Sequence, residues 1–428
     1  MLPPALFIYR TATFALTPLA PALIAWRLRR GKEDPGRFAE RMGMPGLARP
    51  PGRLVWLHGA SVGESAMLVA LLEALKRARP EIRALVTTQT RTSADLLSRR
   101  LSPYAVHQYA PIDAPGPMRR FLAHWRPDLA VFAESEIWPN MLLDTAKAGI
   151  PAALVNARMS ARSLANWARA PRSARQLLDS LGFVAAADQR TSEGLTLLTG
   201  RSTPMVGNLK LSARPPACDE QDLRAFKAAL GDRPVWLAAS THPGEEDVAV
   251  AAHERVRTTV PGALLIIAPR HPDRADSIMQ GLSDLGDALE RRRTGALPQS
   301  RHSVYLADTL GEMGLWLRLA SCAFIGGSLT PGIGGHTPVE PAQLDCPMIT
   351  GPHVSNFEEL YAQLAAAQAV ARVCDPVSLA EAVRPLLADP LAARAMAARA
   401  RAATAGGDAA LAATLQGLLN LCAQRWTQ

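Results

Sequence analysis

The sequence offers little to disulfide, metal or redox chemistry. Its 428 residues include five cysteines: Cys218, Cys322, Cys346, Cys374 and Cys422. They are odd in number, far apart and never in a C-x-x-C pair. That argues against a disulfide framework and a cysteine zinc site, and suits reduced thiols in a cytosolic compartment. Aromatic residues make up only 5%, and no basic run is interleaved with them. Nucleic-acid binding, which leans on stacking beside basic charge, is therefore disfavoured. There is no Walker A motif, so simple phosphate cleavage is not favoured. No internal repeat of short period is present.

What is present is globular. Hydrophobic residues make up 48% and charged residues 20%, an ordinary balance for packed domains. The length suits two domains of roughly 150–200 residues. The formal net charge of +9 suits an anionic partner such as a phosphorylated substrate or an acidic membrane surface.

Thr11 to Trp26 carry no charge and are mostly apolar. Extending the segment back to Leu2 takes in Pro3, Pro4 and Arg10, and Pro18 and Pro21 are expected to interrupt its helix. A full membrane span needs about 20 apolar residues. The segment is marginal for that, so it spans the bilayer or lies in its interface. Arg27, Arg29, Arg30 and Lys32 follow at once, with Arg37 and Arg41 beyond. Such charge keeps the following chain cytoplasmic and attracts anionic headgroups at about 1 kcal/mol each. A cleaved signal peptide needs its basic residues on the other side, and a buried helix is the remaining alternative. Residues 1–30 are assigned as a membrane anchor.

From Arg53 onward, short apolar runs alternate with helical spacing. Strands are expected at Arg53–Leu57, Ile82–Thr88, Leu129–Ala133, Ala152–Val155 and Phe183–Ala187, with helices at Glu64–Arg79 and Ser93–Arg100. This is the signature of a parallel sheet covered by helices. Ser212–Pro216 breaks the pattern as a linker. The alternation then resumes, with strands expected at Val235–Ala239, Ala263–Ala268, Ser303–Leu306 and Cys322–Ile325. The fold class is α/β of the GT-B type, two Rossmann-like domains at 31–211 and 217–428. Ligands of such sheets bind at the carboxyl ends of strands, so the site is expected in a cleft between the domains.

The motifs fall at those strand ends. His58-Gly59-Ala60-Ser61-Val62-Gly63-Glu64 runs from a strand through a small-residue turn into a helix. Glu64 there can take a proton from an attacking hydroxyl. Ser61 and Glu64 also have the S-x-x-E spacing of a capping box, so both readings stand. Glu134-Ser135-Glu136-Ile137-Trp138-Pro139-Asn140 follows another strand; one of its carboxylates orients a cationic group or faces substrate, or both decorate a helix start. Gly207-Asn208-Leu209-Lys210 places a lysine at the domain junction, where it balances anionic groups or is simply solvated. In the second half, Ser240-Thr241-His242-Pro243-Gly244-Glu245-Glu246, Pro269-Arg270-His271-Pro272, Leu310-Gly311-Glu312, Gly326-Gly327-Ser328 and Gly334-Gly335-His336-Thr337-Pro338-Val339-Glu340 occupy successive loops. An arginine there can hold a phosphate or carboxylate in bidentate fashion. Helix starts beside glycines bind anions. Their repetition in one domain points to a nucleotide.

Taken in order, HGASVGE, ESEIWPN, NARMS, GNLK, STHPGEE, PRHPDR, LGE, FIGGS, GGHTPVE and GPHVSNF resemble one family: the transferases that move Kdo (3-deoxy-D-manno-oct-2-ulosonic acid) from CMP-Kdo onto lipid A precursors. The resemblance runs from the anchor to about Phe357. It implies an inverting GT-B glycosyltransferase that acts without a metal or other cofactor at the cytoplasmic face of the inner membrane. Its partners would be the CMP-Kdo donor, a lipid A precursor such as lipid IVA, and anionic membrane lipids, with no nucleic acid. Glu64 would be the general base, and Glu134 and Lys210 transition-state stabilisers. Pro269, Arg270, Leu310, Gly311, Glu312, Thr337, Pro338, Val339 and Glu340 would form the CMP site. One departure is visible: the family usually has Asn where Thr337 stands, and a hydroxyl has a shorter reach than an amide. The alternative is another membrane-associated GT-B transferase using a UDP-sugar and a lipid-linked acceptor.

Overall fold

The computed structural model describes residues 2–101, 103–212 and 215–426. Ala213 and Arg214 of the expected linker, Met1 of the expected anchor and the last two residues of the expected second domain lie outside the described residues. The chain forms two compact units, Met1–Ala213 with Gly406–Gln428, and Arg214–Ala405.

The first unit is built on six parallel strands, β1 (Leu54–His58), β2 (Arg83–Thr88), β3 (Ala105–Tyr109), β4 (Leu129–Ala133), β5 (Ala152–Ala157) and β6 (Phe183–Ala186), in the order β3-β2-β1-β4-β5-β6. Every residue of β1, β4 and β5 is buried, which is why they read as unbroken apolar runs. Alternate residues serve opposite faces. Trp56 packs with Phe121 and Phe132 on one face, at ring separations of 4.8 and 5.2 Å. Val55 and Leu57 join Leu68, Leu71 and Leu72 on the other. No apolar run marks β3: it is an edge strand whose polar residues are used inward. His107 Nε2 meets the Thr88 hydroxyl at 2.9 Å, and Gln108 accepts from Trp125 Nε1 at 2.8 Å.

The second unit has seven parallel strands, β7 (Val235–Thr241), β8 (Leu264–Pro269), β9 (Leu289–Arg291), β10 (Val304–Leu306), β11 (Cys322–Ile325), β12 (Met348–Thr350) and β13 (Val370–Arg372), ordered β13-β12-β11-β7-β8-β10-β9. β9, β12 and β13, three residues each, are too short to carry a readable period.

The last helix, Gly407–Trp426, departs from the expected division at 217–428. Its Ala410, Leu418, Leu421 and Cys422 enter the first unit's core beside Leu57, Leu72 and Leu209. Small residues permit this approach: a Cβ on Gly417 would sit 2.2 Å from the Phe183 ring, and one on Gly407 2.3 Å from the Leu211 backbone.

At the other end, Pro4–Leu16 and Ala20–Arg29 are helices joined by the 3-10 turn Thr17–Leu19. Pro18 and Pro21 fall at the first positions of the turn and of the second helix, where a missing N–H costs nothing. The α-helix is interrupted at the prolines, as expected, yet the helical segment continues through the 3-10 turn for 26 residues and is long and apolar enough to cross a membrane. Within the first unit one face of it is held in place. Leu6 enters the core, Tyr9 donates to Asp113 at 3.0 Å, and Arg10 donates to Asn140 at 3.2 Å and to Asp144 at 2.7 Å.

Candidate active site

In the first sheet the strand order reverses between β1 and β4, the position where open parallel sheets bind ligands. The turns carrying Glu64 and Glu134 leave these two neighbouring strands. Ser61 caps the helix Val62–Ala78 and accepts from the Glu64 N–H at 3.3 Å. The Glu64 carboxylate folds back over the turn: the Ser61 hydroxyl donates to Oε1 at 2.6 Å and the Ala60 N–H to Oε2 at 2.8 Å. Of the capping box suggested by the S-x-x-E spacing only the Ser61 half is made; the Glu64 carboxylate turns to the Ala60 N–H and the Ser61 hydroxyl rather than to the Ser61 N–H. Glu64 is 7% exposed, on a turn whose Ser61 is open to solvent. Burial pushes the Glu64 carboxyl above its ordinary value; the Ser61 and Ala60 bonds pull it down, and the charges of Glu134 and Glu136 push it up again. An acid raised this way is a better proton acceptor once ionised.

The carboxylates of the second motif have separate partners. Glu134 takes Lys210, with Nζ 2.6 Å from Oε1. A Cβ on Gly63 would lie 3.5 Å from Lys210 Cε, so the turn before Glu64 leaves room for the lysine chain. Glu134, Lys210 and the Glu64 turn therefore lie together. Glu136 turns to His58 Nε2 at 3.0 Å and accepts from Trp138 Nε1 at 2.6 Å. Burial pushes Glu136 up, but the bond to His58, its charge and the Trp138 bond together hold the carboxyl below its usual range. His58 Nδ1 reaches the Thr87 hydroxyl at 2.9 Å, which also accepts from Trp56 Nε1 at 2.8 Å.

The run Asn156 to Ser160 stands after a strand and reads from sequence as able to bind polar substrate groups, but in the structure Asn156 serves its own chain. It is fully buried, donates to Glu134 Oε1 at 3.1 Å and accepts from the Leu209 N–H at 2.9 Å. Its signal was the asparagine ending a strand in NARMS, where a buried amide requires partners.

In the second unit the order reverses between β7 and β11, again with motifs at both strand ends. The loop Gly326-Gly327-Ser328 was expected to offer its amides to a ligand. It binds an anion of its own instead. The buried Glu245 carboxylate accepts from the N–H groups of Gly327 at 2.6 Å, Ser328 at 2.9 Å and Leu329 at 2.9 Å, and from His242 N–H at 2.9 Å. These donors are spent internally, and the helix after GGHT, Val339–Gln343, is only five residues long.

Pro269 ends β8 buried, and Arg270 beside it is exposed. Near Arg270 stands a histidine cluster: His242 Nε2 lies 3.0 Å from His336 Nε2, and His271 packs edge-on to His242 at 5.9 Å. Burial, Arg270 and the neighbouring imidazoles hold His336 down at about 3, and burial also lowers His242. Both rings are therefore neutral near pH 7, and Arg270 carries the fixed positive charge. Gly311 turns with φ of 85° after the exposed Leu310. Glu312 is held by Arg292 Nη2 at 2.8 Å and by the Thr309 hydroxyl; Arg292 also pairs with Asp222 at 2.6 Å, a partnership with no signature in the sequence. Thr337 accepts from the Val339 N–H at 3.3 Å, a local turn bond just before the short helix, whose N-cap is Pro338. Pro338 and Val339 are buried and Glu340 is half-buried.

Two Rossmann-like parallel sheets, each with its polar groups at the reversal of strand order, define the GT-B fold. Solved structures agree on the fold. UDP-GlcNAc 2-epimerase from Neisseria meningitidis is similar with a TM-score of 0.58 at 16% identity, over 86% of this chain and 100% of that one. MurG of Acinetobacter baumannii has a TM-score of 0.50 at 13% identity, over 82% and 95%. Residues 36–213 match the family described as 3-deoxy-D-manno-octulosonic-acid transferase (kdotransferase). Proteins named 3-deoxy-D-manno-octulosonic acid transferase are similar across most of the chain. That of Bordetella pertussis is 34% identical over 95% of this chain and 97% of its own, and that of Haemophilus influenzae 31% over 86% and 87%. The chain belongs to the family of 3-deoxy-D-manno-octulosonic acid transferases, enzymes of lipopolysaccharide biosynthesis.

Proposed function

We propose that this transferase moves Kdo from CMP-Kdo onto the 6′-hydroxyl of a lipid A precursor, with inversion at the anomeric carbon. The observation that carries the reading is the convergence of Glu64 with the Lys210–Glu134 ion pair at the first sheet's reversal point. Glu64 takes the proton of the acceptor hydroxyl. The oxygen forms its bond to the anomeric carbon as the bond from that carbon to the CMP phosphate oxygen breaks, and CMP departs with the electron pair. The sugar gains oxocarbenium character on the way, as in glycosidic chemistry generally. Lys210, held by Glu134, supplies fixed positive charge where negative charge gathers. Arg270 serves the CMP phosphate, and Glu312 and Glu340 suit the ribose hydroxyls.

The N-terminal segment supports a membrane-borne acceptor. Leu6, Ala20 and Ile24 are buried, while Phe7, Ile8, Phe14, Leu16, Leu19, Leu23 and Trp26 are exposed. An apolar face followed by Arg27, Arg29 and Arg30 fits a helix lying in the interface of an anionic leaflet, here the cytoplasmic face of the inner membrane. Incubation of the purified protein with CMP-Kdo and a tetraacylated lipid A precursor, with the product weighed by mass spectrometry, tests the proposal. A mass gain of one or more Kdo units is expected. Transfer from a UDP-sugar with none from CMP-Kdo overturns the donor assignment.

A further inference from the structure

We propose that Asn156 is the positioning residue of the first unit's site: its amide locks the Glu134 carboxylate and the turn bearing Lys210 into one register. The inference rests on the roles given above to Glu134 and Lys210. Asn156 Nδ2 donates to Glu134 Oε1 at 3.1 Å, the same oxygen that Lys210 Nζ reaches at 2.6 Å. Its Oδ1 accepts at 2.9 Å from the N–H of Leu209, the residue immediately before Lys210. One planar group thus holds the acid by its side chain and the lysine by its backbone.

The amide has only one workable orientation. Turned over, it would set oxygen against the carboxylate and NH2 against the Leu209 N–H, two contacts of like polarity. The backbone is equally specified. Asn156 and Glu134 have φ of 51° and 52°, a left-handed conformation that asparagine tolerates better than most side chains. Such strain persists only where surrounding contacts over-determine it. With Asn156 fully buried, no water can replace its bonds from solvent. An aspartate would keep the Leu209 contact but lose the donor to Glu134, and a glycine would keep the backbone but lose both contacts. Asn156 touches neither substrate nor the reacting atoms; it acts through the ion pair.

The test compares Asn156→Asp and Asn156→Gly with Glu134→Ala and with the double variant Asn156→Asp/Glu134→Ala, which keeps the bond to the Leu209 N–H. Transfer is followed under single-turnover conditions and at steady state, CMP binding by titration, and folding by thermal melting. Both single changes at Asn156 should lower kcat about 10–100-fold, as sub-ångström misplacement of reacting groups does, with donor KM and CMP affinity unchanged. The double variant should be no slower than Glu134→Ala alone, because Asn156→Asp loses only the bond to Glu134, which Glu134→Ala has already removed. Losses that multiply in the double variant overturn the proposal. So does a rise in donor KM at unchanged kcat, or a parental rate in both Asn156 variants beside a slow Glu134→Ala. If Glu134→Ala itself keeps the parental rate, the role given to Glu134 fails, and that single variant shows it separately.

Discussion

The hydroxyl of Ser61 donates to Oε1 of Glu64 at 2.6 Å, tying the proposed base to the cap of its own helix. Glu64→Gln should lower kcat by about 10²–10⁴-fold, the usual contribution of a general base. CMP titration should be unaltered, since the residues assigned to CMP belong to the other unit. A variant with more than a tenth of the parental rate would remove Glu64 from the mechanism.

Glu64 must be ionised to act. Its carboxyl is raised chiefly by burial, and the Ser61 bond opposes that rise. Activity should therefore fall on acidification at a pH above that of an ordinary glutamate. Ser61→Ala removes a bond favouring the charged form, so the acid limb of the kcat profile should move to still higher pH. A limb that stays in place or moves down contradicts the assignment.

Arg10 reaches Asp144, whose side chain is 4% exposed. Arg10→Ala leaves that carboxylate without its charged partner. The first unit should lose about 1.5–3 kcal/mol, as for a hydrogen bond to a charged group, seen as a lower Tm. Phe7→Ser with Phe14→Ser changes only exposed positions. It should leave Tm in place and reduce co-sedimentation with anionic vesicles; equal sedimentation would show that this face does not meet the lipid.

Glu245→Ala would leave four backbone N–H groups, of His242, Gly327, Ser328 and Leu329, without their acceptor. Buried orphan donors cost about 1–3 kcal/mol each, so residues 215–405 should melt earlier and CMP affinity should fall. Restored melting on adding phosphate would show that the loop accepts an external anion once its own is gone. An unchanged Tm would deny the loop its dependence on Glu245.

What was legible followed from burial. β1, β4 and β11 are buried on both faces, so each is an apolar run between turn residues, and their order of appearance announced two parallel sheets. β3 was hidden because His107 and Gln108 find polar partners inside, and β9, β12 and β13 because three residues hold no period. The final helix was placed with the wrong unit because its alanines and leucines would suit either core; only the fit of Gly417 against Phe183 decides. In the site, Glu64, Glu134 and Lys210 stood out as charged residues at strand ends. Asn156 and Glu245 stood in visible motifs, but their partners, like those of Arg292, were not legible, because each acts on another residue of the chain and such pairings depend on strand order rather than local pattern.

The helix Gly407–Trp426 closes the core of the unit that the chain begins. A ribosome therefore releases the second unit complete while the first still lacks a wall. Until that helix is made, Leu57, Leu72 and Leu209 of the nascent chain have no cover from Leu418 and Leu421. A premature stop near codon 406 would spare the later-made unit and cripple the earlier one.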